Sequence, residues 1–137
     1  MLRDSQDAEA LYLLSIIAYQ SGRYEMTIDL ITRAIEIDSN QAPFFLNLGS
    51  ALQKQGRLEE SIQAYHKAIE IQPRYADAYN NLGLAFKERG RLKESIQAYH
   101  KAIENQPNHA EAYNNLGLAF KEQGKLEESI QAYHKAI

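Results

Sequence analysis

Apolar residues in this chain recur three and four positions apart, in short runs separated by polar residues and single glycines. Between residues 76 and 105 one run holds Ala78, Tyr79, Leu82, Ala85 and Phe86 and stops at Gly90. A second run holds Leu92, Ile96, Tyr99, Ala102 and Ile103 and stops before Pro107. That spacing lays the apolar side chains along one stripe of an α-helix. Glycine breaks the pattern, and proline disfavours the helical conformation for the residue before it. The same succession along the whole chain predicts eight helices near 8–21, 24–37, 42–55, 58–71, 76–89, 92–105, 110–123 and 126–137. Each is about 14 residues, or roughly 20 Å, long.

The succession repeats because the sequence repeats. ADAYNNLGLAFKERGRLKESIQAYHKAI, from Ala76, faces AEAYNNLGLAFKEQGKLEESIQAYHKAI, from Ala110, with 24 of 28 positions identical. The segment from Ala42 follows the same frame, 34 residues earlier (76 − 42 = 110 − 76). One more step back reaches Ala8, where the match is weaker but readable. The expected organisation is one array over 1–137, with units 8–41, 42–75, 76–109 and 110–137, each helix, short turn, helix and tight connector.

In the second, third and fourth units an aromatic-x-x-Leu-Gly string is followed at fixed spacing by an aromatic residue or leucine, a tyrosine and an alanine, and in the second and third by a closing Pro. It reads Tyr79, Leu82, Gly83, Phe86, Tyr99, Ala102 and Pro107. It recurs as Tyr113, Leu116, Gly117, Phe120, Tyr133 and Ala136, and as Phe45, Leu48, Gly49, Leu52, Tyr65, Ala68 and Pro73. With its 34-residue period, this chain resembles the tetratricopeptide repeat family over residues 8–137. In style it is similar to the arrays of O-linked N-acetylglucosamine transferases and of bacterial tetratricopeptide proteins. The resemblance implies an all-α fold, an α-solenoid of stacked antiparallel hairpins in a right-handed superhelix.

Gly49, Gly83 and Gly117 fall inside helices, where each costs about 1 kcal/mol against alanine. Such a cost, repeated in register, implies that the second helix approaches where a Cβ would hold it away, with Ser61, Ser95 and Ser129 as small partners at the crossing. Gly56, Gly90 and Gly124 suit the left-handed conformation that ends a helix. The first unit departs, with Ser15 for the glycine and Ser39 for the proline, as a terminal unit is expected to. The last helix carries Leu126, Ile130, Tyr133 and Ile137, an apolar face expected to meet either a further unit or another copy of the chain.

Composition narrows the functions. The chain is 45% hydrophobic and 24% charged, enough to bury a core, and its formal charge is only −3. No basic field gathers nucleic acid or an anionic membrane. There is no cysteine, which excludes disulfides, thiolate chemistry and cysteine zinc sites. The apolar stretch from Leu11 to Tyr19 follows an acidic segment and leads to no small-residue cleavage site. No run approaches the roughly 20 apolar residues of a membrane span. The expected location is the cytoplasm.

Candidate chemistry is sparse. His66, His100 and His134 recur every 34 residues, but stacked hairpins space such residues roughly 10 Å apart, too far for shared metal ligands about 2 Å from an ion. His109 stands alone in a connector. The glycines are isolated and form no phosphate loop. The pairs Glu59 with Glu60 and Glu127 with Glu128 open helices, where negative charge suits the helix dipole. The chain is therefore expected to be no enzyme and to need no cofactor or metal.

The resemblance also implies a ligand surface, since in the family the first helix of each unit lines the concave face. Mapped onto this chain, that surface comprises Tyr12, Ile16 and Tyr19, then Leu46, Asn47, Ser50 and Lys54. It continues through Asn80, Asn81, Leu84 and Glu88 to Asn114, Asn115, Leu118 and Glu122. Asn47, Asn81 and Asn115 share one register. An asparagine amide both donates and accepts, so a row of them can pair with any peptide backbone. This resembles the asparagine ladder of O-linked N-acetylglucosamine transferases. The competing reading is that these amides bond to neighbouring helices and stiffen the stack. The clamp that grips acidic chaperone tails needs basic residues one turn on, and here Ser50, Leu84 and Leu118 occupy those places.

The expected function is a scaffold or adaptor that binds an extended peptide or partner protein. Self-assembly through the C-terminal helix is the alternative, as is service as the recognition arm of a larger enzyme such as a glycosyltransferase.

Overall fold

The computed structural model describes residues 2–137, with side chains from Asp4 onward. Among the described residues it contains eight helices and no strand. They fall into two compact units, one ending at Pro73 and one spanning Arg74–Ile137. The first holds α1 (Leu2–Gln20), α2 (Tyr24–Ile37), α3 (Ala42–Lys54) and α4 (Leu58–Ile71). The second holds α5 (Ala76–Glu88), α6 (Leu92–Asn105), α7 (Ala110–Glu122) and α8 (Leu126–Ala136).

Seven helices start at the residue that the periodicity predicts, and α1 alone differs, reaching back to Leu2 rather than starting at Ala8. The added turns, with Asp4, Ser5, Gln6 and Asp7, are exposed, so no apolar stripe marks them in the sequence. Their acidic residues favour the positive end of a helix dipole.

Each hairpin turns in the same way. Gly56, with φ +76°, donates to Gln53 O at 3.0 Å, and the next residue, Arg57, donates to Leu52 O at 2.9 Å. This pair of bonds is the Schellman arrangement, which needs a left-handed residue and so favours glycine. Gly22, Gly90 and Gly124 repeat it.

In unit 1, Ala8, Ile31, Ala34 and Phe44 form a buried cluster, covered by Leu11, Tyr12, Ile35 and Leu48. In unit 2 the cluster is Tyr99, Leu116, Ala119 and Ala132, covered by residues that include Leu84, Leu92, Ile96, Ile103 and Phe120. In both, the second helix of one hairpin packs on the first helix of the next, so a single hairpin does not close its own core.

The helical glycines make room for a ring. A Cβ on Gly49 would lie 2.5 Å from Tyr65 Cε1, and one on Gly83 would collide with Tyr99 in the same way. Both tyrosines are wholly buried. Ser61, Ser95 and Ser129 each donate to the carbonyl of the matching glycine, Gly49, Gly83 or Gly117, at 2.8 Å. The sequence reading placed the serines at the crossing; the ring that demands the glycine is the tyrosine four residues further on. The first repeat carries the complementary exchange, for Ile31 stands where the others have tyrosine and Ser15 where they have glycine. The smaller side chain admits a Cβ, and both residues are buried.

Candidate protein-binding faces

In unit 1 the expected ligand residues lie on α1 and α3. Tyr12 is half-buried, its ring 4.9 Å from that of Phe44. Burial raises its hydroxyl above the usual tyrosine range. Ile16 is half-buried, and Tyr19 meets Tyr24 edge-on at 5.4 Å. Burial likewise raises the Tyr19 pKa, while the positive charge of exposed Lys54 partly offsets the shift. Half-buried Asn47 donates from Nδ2 to Ser15 Oγ at 2.6 Å, and Ser15 Oγ donates to Tyr12 O at 2.6 Å. A cleft of about 350 Å³ opens between α1 and α3, with Glu9, Tyr12, Asp38, Gln41 and Phe44 in its wall.

In unit 2, Asn114 and Leu118 are exposed, and Asn81 and Leu84 are half-buried. Asn80 differs from its expected placement on the ligand surface. It is 1% exposed, and its Oδ1 accepts from Nδ2 of half-buried Asn115 at 2.9 Å. Lys87 Nζ lies 3.2 Å from Glu122 Oε1, an ion pair from α5 to α7. Asn47 and Asn115 thus each spend an N–H on the preceding first helix, as the stiffening alternative expects, although on side chains and not on backbone. An amide has a second N–H and an acceptor oxygen, so this bond orients it without exhausting it.

The bonding roles of three residues of this region escaped the sequence reading. Ser15 and Asn80 are the acceptors for Asn47 and Asn115. His109, expected to stand alone, is buried at the start of α7, where Nδ1 accepts from Ala112 N at 3.1 Å and Nε2 donates to Asp77 Oδ1 at 2.9 Å. The bonds fix the neutral tautomer with hydrogen on Nε2. The signal was present, since Tyr75 and Gln41 hold the matching places in the neighbouring units, and a one-repeat departure marks a local contact.

The second-helix histidines are exposed, and His100 faces the Phe120 ring at 6.2 Å. Among the described residues no group of three or more His, Cys, Asp or Glu is placed to hold a metal, and no helix is long and apolar enough to cross a membrane.

A TPR-repeat family model matches residues 53–90 and 83–124, and two tetratricopeptide-repeat models match 8–41 and 30–63. No curated protein matches the chain. Among solved structures, a crystal structure of MamA is 30% identical, with TM-score 0.88 over 95% of this chain and 76% of that one. The first TPR domain of Spaghetti (RPAP3), solved with an HSP90 peptide SRMEEVD, is 24% identical, with TM-score 0.84 over 88% of this chain and 95% of that one. The Arabidopsis OM64 TPR domain is 20% identical, with TM-score 0.84 over 87% and 98%. The last two likenesses are of fold alone. With eight helices paired by Schellman turns, glycines seating tyrosine rings and matches to the repeat models along most of its length, the chain is an α-solenoid that belongs to the tetratricopeptide repeat family.

Proposed function

We propose that the chain is a protein-interaction scaffold that holds an extended polypeptide against the first helices of its repeats, and that it is not a catalyst. The observation that carries this reading is the treatment of the register asparagines. Asn47 and Asn115 are half-buried, and each is steered by one bond to the preceding first helix. A steered amide loses little side-chain freedom when a peptide backbone arrives, which favours binding independent of peptide sequence. Asn81 stands in the same register of α5. Asn80 supports Asn115 from beneath, and exposed Asn114 and Leu118 flank it. In unit 1, Asn47, Lys54 and the rim of Tyr12, Ile16 and Tyr19 supply the corresponding face.

The RPAP3 domain was solved with the HSP90 peptide SRMEEVD, which is acidic. That ligand does not suit this chain, because Ser50, Leu84 and Leu118 stand where cations are needed and Lys87 is already paired with Glu122. Titration with SRMEEVD by calorimetry is expected to release no heat of binding.

The test is selection of extended peptides from a random library, followed by titration of the winners against the parent chain and the Asn81→Ala/Asn115→Ala variant. The reading expects at least tenfold weaker binding with unchanged helix content. A variant that binds as the parent does, or that loses its helicity, assigns the amides to stiffening and ends the groove reading.

A further inference from the structure

Two places in the fold correspond by two periods of the repeat and are filled differently. In unit 2, buried His109 precedes α7 and its Nε2 donates to Asp77 Oδ1 of α5 at 2.9 Å. One turn further along the same helices stand Asn80 and Ala112, both buried. In unit 1 the positions 68 residues earlier (77 − 9 = 109 − 41) are Glu9 and Gln41, with Tyr12 and Phe44 one turn on. Gln41 is exposed and gives its amide hydrogen to Asp38 Oδ2 at 2.9 Å instead. The matching place is here the cleft of about 350 Å³ between α1 and α3. Both places lie inside a unit, between one first helix and the next, so the exchange of side chains distinguishes them. The cleft carries Glu9 from α1 and Asp38 from the connector before α3, and no residue lining it is cationic. Tyr12 and Phe44, their rings 4.9 Å apart, give it an aromatic wall. Asp38 is oriented, since its Oδ1 also accepts from Asn40 N at 3.0 Å. The bond from Gln41, and then that from Asn40, hold its carboxyl below the usual range, and an ionised carboxylate has lone pairs left for a further donor.

We infer that this cleft receives an arginine side chain of the bound polypeptide, with the guanidinium stacked on Tyr12 and bonded to Glu9 and Asp38. Unit 2 shows the arrangement closed from within: a planar ring lays an N–H on the carboxylate of Asp77, and that donor belongs to the chain itself. Unit 1 has the carboxylate but not the internal donor, and it has aromatic rings where unit 2 has Asn80 and Ala112. A guanidinium meets both requirements, for it carries five N–H donors in one plane and its face stacks on aromatic rings. An ammonium group is a compact charge and uses the carboxylates without the ring. A metal ion of the calcium type needs six or more oxygen ligands, and among the described residues no three acidic or histidine groups gather. The volume stands at the small end of the roughly 300–1,000 Å³ of ligand pockets, which suits one side chain. The inference rests on the scaffold reading for the source of the arginine, and it adds a preference to it. The asparagines hold a backbone whatever its sequence, whereas the cleft selects one residue of that sequence.

The experiment is an NMR titration of the full chain with three blocked amino acids: N-acetyl-arginine N-methylamide and its citrulline and lysine counterparts. Citrulline keeps the shape of arginine and removes the charge. The expected result is a saturable shift of the Tyr12 and Phe44 ring signals with arginine, with a Kd on the order of millimolar for so small a ligand. Lysine is expected to bind several-fold more weakly, and citrulline not to saturate. Glu9→Gln/Asp38→Asn is expected to lose the arginine response with unchanged helix content. Should that pair lower the helix content, Glu9→Gln alone, at an exposed position, is expected to weaken arginine at least threefold. The inference is overturned if citrulline shifts the rings as arginine does, if arginine fails to saturate by about 100 mM (a binding free energy under about 1.4 kcal/mol), or if the carboxylate variants respond as the parent does. A blocked amino acid has no chain to lie along the asparagine register, so Asn81→Ala/Asn115→Ala is expected to bind the arginine probe as the parent does. The two readings therefore fail separately. Library winners without a preference for arginine overturn this inference and leave the scaffold standing; a selection that yields no peptide, from a chain that still holds the arginine probe, ends the scaffold reading and leaves the cleft.

Discussion

Tyr65 and Tyr99 fill the same place in successive repeats and are equally buried, yet their hydroxyls meet opposite fates. Tyr65 Oη donates to Gln53 Oε1 at 2.7 Å and lies 3.4 Å from Ser50 Oγ. The third repeat has Lys87 and Leu84 at those positions. Leucine cannot accept, and the ammonium group offers only donors and is turned to Glu122. Tyr99 Oη is left without a partner, and the adjacent Ser95 Oγ is committed to Gly83 O. One substitution, tyrosine to phenylalanine, should therefore act with opposite sign at the two sites. Tyr65→Phe removes a made bond, at a cost of about 1 kcal/mol. Tyr99→Phe removes a buried hydroxyl that has no partner and should stabilise the chain by roughly 1 kcal/mol, against a penalty of about 1–3 kcal/mol for such groups. Urea melts followed by circular dichroism measure the difference, which should be about 2 kcal/mol. Alkaline pH gives an independent reading. Burial pushes the Tyr99 hydroxyl up to about 12; the neighbouring Ser95 hydroxyl lowers it in part, and Glu122, Glu88 and Glu111 add to the rise. The folded value lies above the unfolded one near 10, so the associated stability is complete below pH 10 and is lost as pH rises toward 12. Over that window the parent should fall behind Tyr99→Phe by roughly 2–3 kcal/mol. A Tyr99→Phe chain as destabilised as Tyr65→Phe, or parallel pH curves for it and the parent, would refute the reasoning.

The glycines give a graded series. Gly83→Ala and Gly49→Ala drive a Cβ into a wholly buried tyrosine ring and should cost about 3 kcal/mol or more. Gly117→Ala meets half-buried Tyr133 at 3.0 Å, where the ring can yield, and helix propensity returns about 1 kcal/mol; thermal melts should rank the first two well below the third. In the first repeat, Ile31→Tyr alone should destabilise by crowding Ser15, and adding Ser15→Gly should recover part of the loss, a coupling of about 1–3 kcal/mol in a double-mutant cycle. His109→Ala should cost about 1–2 kcal/mol and speed hydrogen exchange at the Ala112 amide, whereas His109→Asn, which can still accept from that amide, should protect it.

The helices, their turns and the helical glycines were legible because each rests on a local signal or on a repeated one. Seven helix starts and three of the four turn glycines were read directly, and Gly22 follows the same arrangement. Three things were not legible. The first turns of α1 carry no apolar stripe, and helix propensity and the dipole alone extend them. The identity of the body behind Gly49 required knowing how far a ring on the next helix reaches, which spacing does not give. Asn80 and His109 are bonded to partners more than 30 residues away, Asn115 and Asp77, in pairings that no other two repeats share. The asparagines were visible as a register, but a register does not say which amide hydrogens are already engaged.

A chain whose repeats are nearly identical faces a difficulty in folding. The string ESIQAYHKAI occurs in α4, in α6 and again from Glu128 to Ile137, so the apolar contacts of one hairpin are satisfied almost equally well by the wrong neighbour. The differing bonds break that degeneracy. His109 with Asp77, Lys87 with Glu122, Asn47 with Ser15 and the Tyr12–Phe44 stack each join residues that recur at no other pair of repeats. Their individual energies are small, but a hairpin docked one period out of place loses them while retaining its apolar contacts. They act as addresses that separate the native order of hairpins from its shifted copies, and such a gap between competing packings is what gives a repetitive sequence a single structure.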